Sequence, residues 1–336
     1  MCKRICPAIN EVKINNREKP KTLAAHNKEE EDLKNSTSGG IFSVLADYVI
    51  ENNGVVYGAA MNENLELQHI KAETKDEYKK MRGSKYIQSK IGNSYNEIKA
   101  YLEQNRTVLF VGCPCQVAGL YAFLGKKVYE NLITADLVCH GVGSKLFFDK
   151  YIKEMEKKYD DKIVGISFRS KKNGYTKFTT ELILKNHKPI YIKALNDSYM
   201  SVYMKYGIYR ESCYKCKFAK IPRVGDFTLG DFKGIKNEEM QKKIEKGISV
   251  ILLNNEKADK IFAEIVNKVE YVERPLNEAT STNRNITKPT IRPNTRDVIL
   301  KEEGNTKQLQ KKYFKRKIKE YIADALGYKV MRKIKK

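Results

Sequence analysis

Residues 107–116, TVLFVGCPCQ, decide the predicted fold. Residues 107–111 form a short apolar run rich in β-branched and aromatic side chains, which is typical of a buried strand. The run ends at a Gly-Cys-Pro-Cys turn, and Pro114 stands where proline favours the first turn of a helix. Apolar positions over residues 117–124 continue that helix. The stretch therefore predicts a strand-turn-helix unit of an α/β domain, with two thiols at the turn.

Two similar apolar runs lie on either side of this unit along the chain. Residues 55–60 (VVYGAA) follow a helical pattern that begins at Ile41, and residues 132–138 (LITADLV) stop at Cys139. Both runs have the length and composition of buried strands. Because α/β proteins place their sites at the ends of neighbouring strands, we expect Cys115 and Cys139 to lie close together.

The later half of the chain is richer in strand patterns. Strands are predicted at 163–168, 178–184, 190–192 and 248–253, with a helix at 198–206. Residues 8–34 are polar and mixed in charge, which is typical of a connector, and apolar density falls after about residue 275. The predicted fold class is α/β, with a mixed sheet core, flanking helices, a β-richer second half and a basic helical C-terminal tail.

Composition limits the classes of protein to which the chain can belong. Of its 336 residues, 64 are Lys or Arg and 41 are Asp or Glu, which gives a formal charge of +23. A hydrophobic fraction of 41% is enough for a folded core. No apolar run approaches the roughly 18 residues of a transmembrane helix, and the first residues carry no apolar signal core. We therefore expect a cytoplasmic protein.

Seven cysteines, an odd number without a secretory signal, argue against a complete disulfide framework. Cys213 and Cys216 have the C-x-x-C spacing that can chelate one metal, and Cys115 and Cys139 are the obvious further donors of a tetrathiolate site. Spacing alone does not separate zinc from an iron-sulfur cluster. A third interpretation is that Cys115 and Cys139 are small buried apolar residues and that the C-x-x-C pair is incidental.

The N-terminal Cys2, Cys6 and Pro7 match the last two cysteines and the proline of the bacterial ferredoxin run. One hypothesis is that the chain starts inside a ferredoxin module, and the other is that so short a match arises by chance. Two thiols cannot assemble a cluster by themselves.

Six short motifs follow one another along the chain. They are SGG (38–40), RGSKYIQS (82–89), GCPCQ (112–116), DLVCHG (136–141), CYKC (213–216) and GDF (230–232). In this order they resemble the motifs of the coenzyme F420 hydrogenase/dehydrogenase beta subunit family, over roughly residues 22–300. The resemblance implies an iron-sulfur flavoprotein with FAD and a [4Fe-4S] cluster. The implied cluster ligands are Cys115, Cys139, Cys213 and Cys216.

The sequence departs from the family pattern at three places. The ferredoxin module that often precedes the family domain is nearly absent, so a partner or a longer chain would have to relay electrons. Cys113 stands where Thr is common and adds a fifth thiol, and Lys233 follows the GDF motif where Trp is usual. The packing around Lys233 is therefore in question.

Residues for FAD are suggested by the start of the first helix and by a basic loop. Ser38, Gly39 and Gly40 offer backbone N–H groups and a positive dipole end, which suit a diphosphate. Arg82 and Lys85, with the small Ser84 between them, can add charge-assisted contacts to the same anion. The alternatives are an ordinary cap and turn and a solvated basic loop. His140, beside Cys139, is expected to orient the site and not to be catalytic.

The C-terminal end is strongly basic. Residues 305–336 hold twelve Lys or Arg and two acids, Glu320 and Asp324, so they carry +10 of the total charge. Apolar side chains at Tyr313, Ile318 and Leu326 alternate with that charge, as in a basic amphipathic helix that contacts a membrane surface or an acidic partner. A solvated helix packed on its own domain is the alternative, and no motif for nucleic-acid recognition accompanies the charge.

The resemblance and the residues together predict an FAD- and iron-sulfur-dependent oxidoreductase that passes electrons between a hydride carrier, FAD and a [4Fe-4S] cluster. The carrier suggested by the family name is coenzyme F420-like, and the expected partner is a redox protein or ferredoxin. The competing hypothesis is a non-enzymatic protein, stabilised by zinc on four cysteines, that docks on acidic partners or membranes. Four segments are predicted: 1–34, a ferredoxin remnant and connector; 35–160, the FAD-associated part; 161–275, completing the cluster site; and 276–336, the basic tail.

Overall fold

The computed structural model describes residues 6–7, 9, 14–125 and 127–314. In chain order the helices and strands are β1 Lys21–Asn27, α1 Glu30–Asn35, α2 Ile41–Glu51, β2 Val55–Met61, β3 Leu67–Ala72, α3 Lys75–Lys79, α4 Ser94–Glu103, β4 Val108–Gly112, α5 Pro114–Leu124, β5 Leu132–Leu137, α6 Lys145–Tyr159, β6 Ile163–Ser170, β7 Thr179–Leu184, β8 Ile190–Lys193, α7 Ser198–Met204, α8 Glu211–Tyr214, β9 Phe227–Asp231, α9 Glu238–Lys242, β10 Ser249–Leu253, α10 Glu256–Ile265, β11 Val269–Glu273, α11 Leu276–Thr282, α12 Arg296–Lys301 and α13 Thr306–Tyr313.

Eight strands form one mixed sheet in the order β11-β1-β10-β9-β5-β4-β2-β3. The four strands β2, β4, β5 and β9 run parallel to one another, and the outer strands pair antiparallel. In the register of β4 and β5, Gly112 lies opposite Asp136. The segments that carry Cys115 and Cys139, which the sequence predicted to lie close together, therefore leave the sheet at the same edge.

Both faces of this sheet are covered. On one face Leu109 and Ile133 pack with α2 and α10, and on the other face Val108 and Phe110 pack with α4 and α5. Successive residues of a strand point to opposite faces, so a strand buried on both sides must be apolar at every position. This explains the continuous apolar runs in the sequence, and it confirms the α/β fold class with a mixed sheet and flanking helices.

Residues 21–27, expected to belong to a connector, form the central strand β1 of the antiparallel part of the sheet. This strand pairs with β10 on one side and with β11 on the other, and Leu23, Ala24 and Ala25 are buried. The connector interpretation is therefore wrong for these residues. Their sequence, KTLAAHN, has only three apolar side chains, two of them alanine, so the strand is specified by its two neighbours and not by its own pattern.

A second group of elements is built from α6, the antiparallel strands β6, β7 and β8, α7, α12 and α13. The core of this group is aromatic: Phe148, Tyr199, Phe168 and Tyr203 are buried and their rings contact one another. The predicted strands at 163–168, 178–184 and 190–192 are confirmed within one or two residues. Gln310 of α13 donates to Ser201 of α7 at 2.5 Å, which ties the last described helix to this core.

The chain thus forms two units that alternate along the sequence. The first unit holds the residues up to Gly83, Ser89–His140 and Ser212–Thr290, and the second holds Ser84–Gln88, Gly141–Glu211 and the residues from Ile291. This division differs from the four consecutive segments predicted from the sequence, which stay a prediction. In the part of the chain that the structure describes, no helix has the length and apolarity needed to cross a bilayer.

Candidate functional site

Five cysteines of the first unit lie on loops and helix starts around the ends of β4 and β5. Cys113 directly follows β4, Cys115 lies in the first turn of α5, and Cys139 lies two residues beyond β5. Cys213 belongs to the short helix α8, and Cys216 follows it. The four predicted ligands and the additional Cys113 are called the five-thiol set below.

The members of this set are close enough to affect one another's ionisation. A hydrogen bond between the Cys113 and Cys139 thiols, together with burial, raises the pKa of Cys113 well above its usual value. Burial raises the pKa of Cys115 to about 12, and the neighbouring Cys139, Cys216 and Cys213 add to this shift. Cys115 as a whole residue is nevertheless exposed. Thiols from three separate stretches of sequence are therefore gathered at one place.

Cys216 has a distinct environment. Burial raises the pKa of its thiol, whereas hydrogen bonds from the backbone N–H groups of Phe218 and Ala219 lower it. The charge of Arg223 also lowers it. Backbone N–H donors and a cation favour the thiolate over the thiol, and the thiolate is the form that binds metals.

The donor chemistry of this set fits a metal or an iron-sulfur cluster, since soft thiolates are the ligands that zinc and iron-sulfur clusters prefer. Among the described residues, however, no group of three or more His, Cys, Asp or Glu side chains is arranged to hold a metal ion. The thiols are therefore gathered without already standing in ligand geometry. Metal binding would require them to lose protons and to draw together.

A buried ion pair lies beside the five-thiol set. Arg223 and Asp136 are both fully buried, and the guanidinium Nη2 lies 2.5 Å from the carboxylate Oδ1. The second carboxylate oxygen accepts hydrogen bonds from the backbone N–H groups of Val224 (3.0 Å) and Gly225 (2.9 Å). Removing either charge would leave the other one buried without compensation, which typically costs about 3–5 kcal/mol.

The predicted FAD residues Ser38, Gly39 and Gly40 form the turn that enters α2. Gly40 has φ +75° and caps the helix without a side-chain hydrogen bond. The Ser38 hydroxyl donates to the Ile248 carbonyl at 3.0 Å, and the Gly39 N–H donates to the Ser249 hydroxyl at 2.9 Å. The turn therefore presents a helix N-terminus, but the polar groups of Ser38 and Gly39 bind within the protein.

Arg82 lies in the same unit and forms an ion pair that the sequence did not reveal. Its Nη1 lies 2.6 Å from Oδ1 of Asp32, and both side chains are largely buried. The backbone carbonyl of Asp32 accepts a hydrogen bond from Ser36 at 2.6 Å, so the pair is linked to the stretch that precedes the Ser38–Gly40 turn. Asp32 also neutralises part of the charge that was expected to contact a diphosphate.

Ser84 and Lys85 belong to the second unit, so the predicted FAD residues are divided between the two units. Lys85 is half-buried as a residue, and desolvation of its amine lowers its pKa to about 7. An amine with this pKa is partly neutral near pH 7 and would be recharged by a nearby anion. The roles of Ser84 and Lys85 in binding stay predictions.

Three other residues singled out in the sequence have defined surroundings. The backbone carbonyl of His140 accepts a hydrogen bond from Thr290 at 2.6 Å, which anchors the segment that follows Cys139. Lys233 is half-buried, and its backbone carbonyl accepts a hydrogen bond from the Thr282 hydroxyl. Cys2 and the basic stretch from residue 315 lie outside the described residues.

Asp136, Arg223 and Asp32 were not identified from the sequence as parts of these sites. The only signal was a carboxylate inside an apolar run, at Asp136 in LITADLV, since a buried charge needs a partner. Its partner lies 87 residues away along the chain, and nothing in the local pattern around Arg223 identifies it.

Comparisons with known proteins agree with this architecture. A solved structure of the xenon-derivatised F420-reducing [NiFe] hydrogenase complex from Methanosarcina barkeri contains a chain with a similar fold, at a TM-score of 0.56 and 16% identity. The match covers 86% of this chain and 94% of that chain. A comparison with curated proteins found no match.

The family comparison covers more than half of the sequence. The family model that describes the C terminus of the coenzyme F420 hydrogenase/dehydrogenase beta subunit matches residues 105–279, which include all five members of the five-thiol set. Subunits of hydrogenases and dehydrogenases serve oxidation and reduction, which indicates a redox role. With its motifs, mixed sheet and matching family model, the chain belongs to the coenzyme F420 hydrogenase/dehydrogenase beta subunit family.

Proposed function

We propose that the protein is an iron-sulfur flavoprotein oxidoreductase that passes electrons between a two-electron hydride carrier, FAD and a [4Fe-4S] cluster. The observation that carries this proposal is the convergence of Cys115, Cys139, Cys213 and Cys216 from distant parts of the sequence. A [4Fe-4S] cluster requires four thiolate ligands, which these residues would supply. The proposed carrier is coenzyme F420-like, in keeping with the family.

When bound, FAD and the cluster would supply the exchange between two-electron and one-electron transfer, which no amino-acid side chain provides. The chain's own residues have three tasks. Cys115, Cys139, Cys213 and Cys216 hold the cluster. The backbone N–H groups of Phe218 and Ala219 stabilise the Cys216 thiolate before and during binding. The sheet edge formed by β4 and β5 keeps Cys115 and Cys139 at a fixed separation.

For FAD we propose the start of α2 as the place where the diphosphate binds. Gly40 leaves the first N–H groups of the helix without a side-chain cap, and the helix dipole favours an anion there. Ser38 and Gly39 hold this turn against the Ile248–Ser249 backbone. Arg82 is the proposed cation, positioned by Asp32. The parts of Ser84 and Lys85 in FAD binding stay predictions from the sequence.

The decisive experiment is anaerobic purification and reconstitution with iron and sulfide, followed by iron, sulfide, zinc and flavin analysis. We expect four irons and one FAD per chain, with broad visible absorbance and flavin bands. Cys213→Ser should lose most of its iron, while Cys113→Ser should keep it because Cys113 is not among the proposed ligands. Cys6→Ser is a second control outside the five-thiol set.

Other outcomes would refute the proposal or part of it. A colourless protein with one zinc per chain would support the alternative of a zinc-stabilised protein with four cysteine ligands. Equal iron in Cys213→Ser and in the unaltered chain would show that the ligand assignment is wrong. Iron loss in Cys113→Ser as severe as in Cys213→Ser would add Cys113 to the ligands.

The proposed partner is a redox protein, such as a ferredoxin, that exchanges single electrons with the cluster. The fold neighbour comes from a hydrogenase complex, which supports an assembly with other redox proteins. The exposed face of Cys115 would allow such a partner to approach the cluster. A cytoplasmic location stays a prediction from the sequence.

A further inference from the structure

The buried pair of Arg223 and Asp136 connects the two segments of backbone that carry Cys139 and Cys216. Nη2 of Arg223 donates to the carbonyl of Leu137 at 3.1 Å, two residues before Cys139. Nη1 donates to the carbonyl of Phe218 at 3.1 Å, two residues after Cys216. One rigid guanidinium therefore fixes the separation of two chain segments that are far apart in sequence.

The two charges are held in place independently of each other. Asp136 accepts two backbone hydrogen bonds, from Val224 and Gly225, besides those from Arg223. These donors still bond to the carboxylate oxygen when the guanidinium is absent. Arg223 in turn has three backbone carbonyls as acceptors besides Asp136, those of Phe218, Leu137 and Ile286, and its guanidinium is a cation. Neutralising one partner should therefore leave the charge of the other near the thiols.

We propose that Arg223 and Asp136 are positioning residues for the group that the thiols hold. The guanidinium ties the Cys139 and Cys216 segments together, and the balance of the two charges sets the electrostatic potential at that group. This inference rests on the proposed function. It assigns to these side chains a role beyond the stabilisation that any buried ion pair must provide.

The two charges are expected to shift the midpoint potential of the cluster in opposite directions. One-electron reduction adds a negative charge to the cluster, so a nearby cation favours the reduced state and a nearby anion disfavours it. The hydrogen bonds of Arg223 to the carbonyls of Leu137 and Phe218 place its charge close to the segments that carry Cys139 and Cys216. Asp136→Asn leaves an uncompensated cation and should raise the midpoint potential. Arg223→Gln leaves an uncompensated anion and should lower it.

The test uses the full chain, reconstituted anaerobically and titrated with dithionite, with the reduced cluster followed by electron paramagnetic resonance. We expect shifts of opposite direction in Asp136→Asn and Arg223→Gln, and a return toward the original potential in the double variant. Arg223→Lys keeps the charge but loses the planar fork. It should keep the original potential and release iron to a chelator about tenfold faster, as expected when groups that orient metal ligands are lost.

The outcomes separate this inference from the proposed function. Iron in the unaltered chain, with both single variants shifted in the same direction or not at all, would overturn the role of the charges alone. If Arg223→Lys releases iron at the rate of the unaltered chain, Arg223 does not hold the Cys139 and Cys216 segments together. If Arg223→Gln does not fold, Asp136→Asn and Arg223→Lys still decide both points. An unaltered chain without iron would overturn the proposed function and this inference with it.

Discussion

At the scale of single residues, the two ion pairs show what a sequence can and cannot reveal. The placement of Cys115 and Cys139 near the ends of neighbouring strands was predictable, because each follows a buried apolar run in the sequence. The partners Asp136 with Arg223, and Asp32 with Arg82, were not predictable, because each pair joins residues 50 or more positions apart. A charge in a sequence gives no sign of whether it will be solvated or buried. Only the fold supplies the partner.

Gly39 shows the same dependence on distant residues. A Cβ atom at this position would lie 2.3 Å from the Ala25 carbonyl oxygen and 2.7 Å from the Ser249 backbone nitrogen. Since both are backbone atoms of the sheet, they cannot move aside cheaply. We expect Gly39→Ala to lower the free energy of unfolding by about 1–3 kcal/mol, the usual range for overpacking. Urea unfolding followed by circular dichroism measures this.

Gly92→Ala is the matched control for Gly39→Ala. No heavy atom lies within 4 Å of a Cβ at Gly92, so only its backbone angle of φ +56° resists substitution. That conformation typically costs about 1 kcal/mol in a residue other than glycine. A Gly39→Ala variant no less stable than Gly92→Ala would show that the close approach to β1 and β10 does not exist.

At the scale of elements, a continuous apolar run was the signal that located strands of the large sheet. Strands β2, β4 and β5 are continuous apolar runs, and each was predicted within two residues. Strand β1 is also buried along its length, but its residues are poor in β-branched and aromatic side chains, so it was missed and its pairing with β10 and β11 overrides a weak local pattern. Helix α13 lies at the start of the basic end, where a helix was predicted, and Asn305 with Gln308 forms the capping box that begins it.

Leu23 tests whether β1 belongs to the core. It is 3% exposed and packs in the same cluster as α2 and β10. Leu23→Ala should lower the free energy of unfolding by about 2–5 kcal/mol, as for other buried leucines. Lys21→Ala, in the same strand, removes a side chain that is 55% exposed. This change should alter the free energy of unfolding by less than about 1 kcal/mol. If urea unfolding shows that the two changes lower the free energy of unfolding equally, β1 is not part of the core and the connector interpretation holds.

Asp161 links the end of α6 to the turn between β7 and β8 in the second unit. Its carboxylate accepts hydrogen bonds from the backbone of Lys162 and Asn186 and from the ring of His187 at 2.8 Å. Burial alone would raise its pKa, but these hydrogen bonds outweigh burial and lower the pKa to about 2. The folded state therefore binds this proton less readily than the unfolded chain does.

The stabilisation from Asp161 should consequently be present above about pH 4 and be lost as the pH falls toward 2. We expect Asp161→Asn to be less stable than the unaltered chain at pH 6, with a difference that narrows as the pH is lowered. Unfolding in urea at several pH values measures the difference. Asp160→Asn is the control, because Asp160 is an exposed neighbour whose left-handed conformation suits asparagine. A difference for Asp161→Asn that does not change with pH would contradict this account.

At the scale of the whole molecule, the order of residues in the sequence does not follow the division of the fold. The chain passes between the two units at residues 83–84, 88–89, 140–141, 211–212 and 290–291. Changes in composition mark boundaries only where a domain is a continuous segment. The first four crossings lie inside a motif or directly beside one, as at Cys139-His140-Gly141, so the sequence shows a functional signal there and no linker. The two units could not be predicted for this reason.

The net charge of +23 belongs to the whole molecule and predicts how it meets a partner. A cationic protein attracts an acidic redox partner over a distance that dissolved salt shortens. We expect the association rate constant with an acidic ferredoxin to fall about tenfold or more as the salt concentration rises from about 0.02 to 0.5 M. Surface plasmon resonance measures this rate constant.

Ending the chain after Phe314 tests how much of this attraction comes from the basic end. The truncation removes nine Lys or Arg and two acids, which leaves 55 basic and 39 acidic residues and a net charge of +16. Because most of the charge remains, the association rate constant should still depend on salt, with a shallower slope. If the salt dependence of the association rate constant is unchanged by the truncation, the attraction comes from the rest of the chain. If the rate constant of the full chain does not depend on salt, the partner is not an acidic protein held by charge.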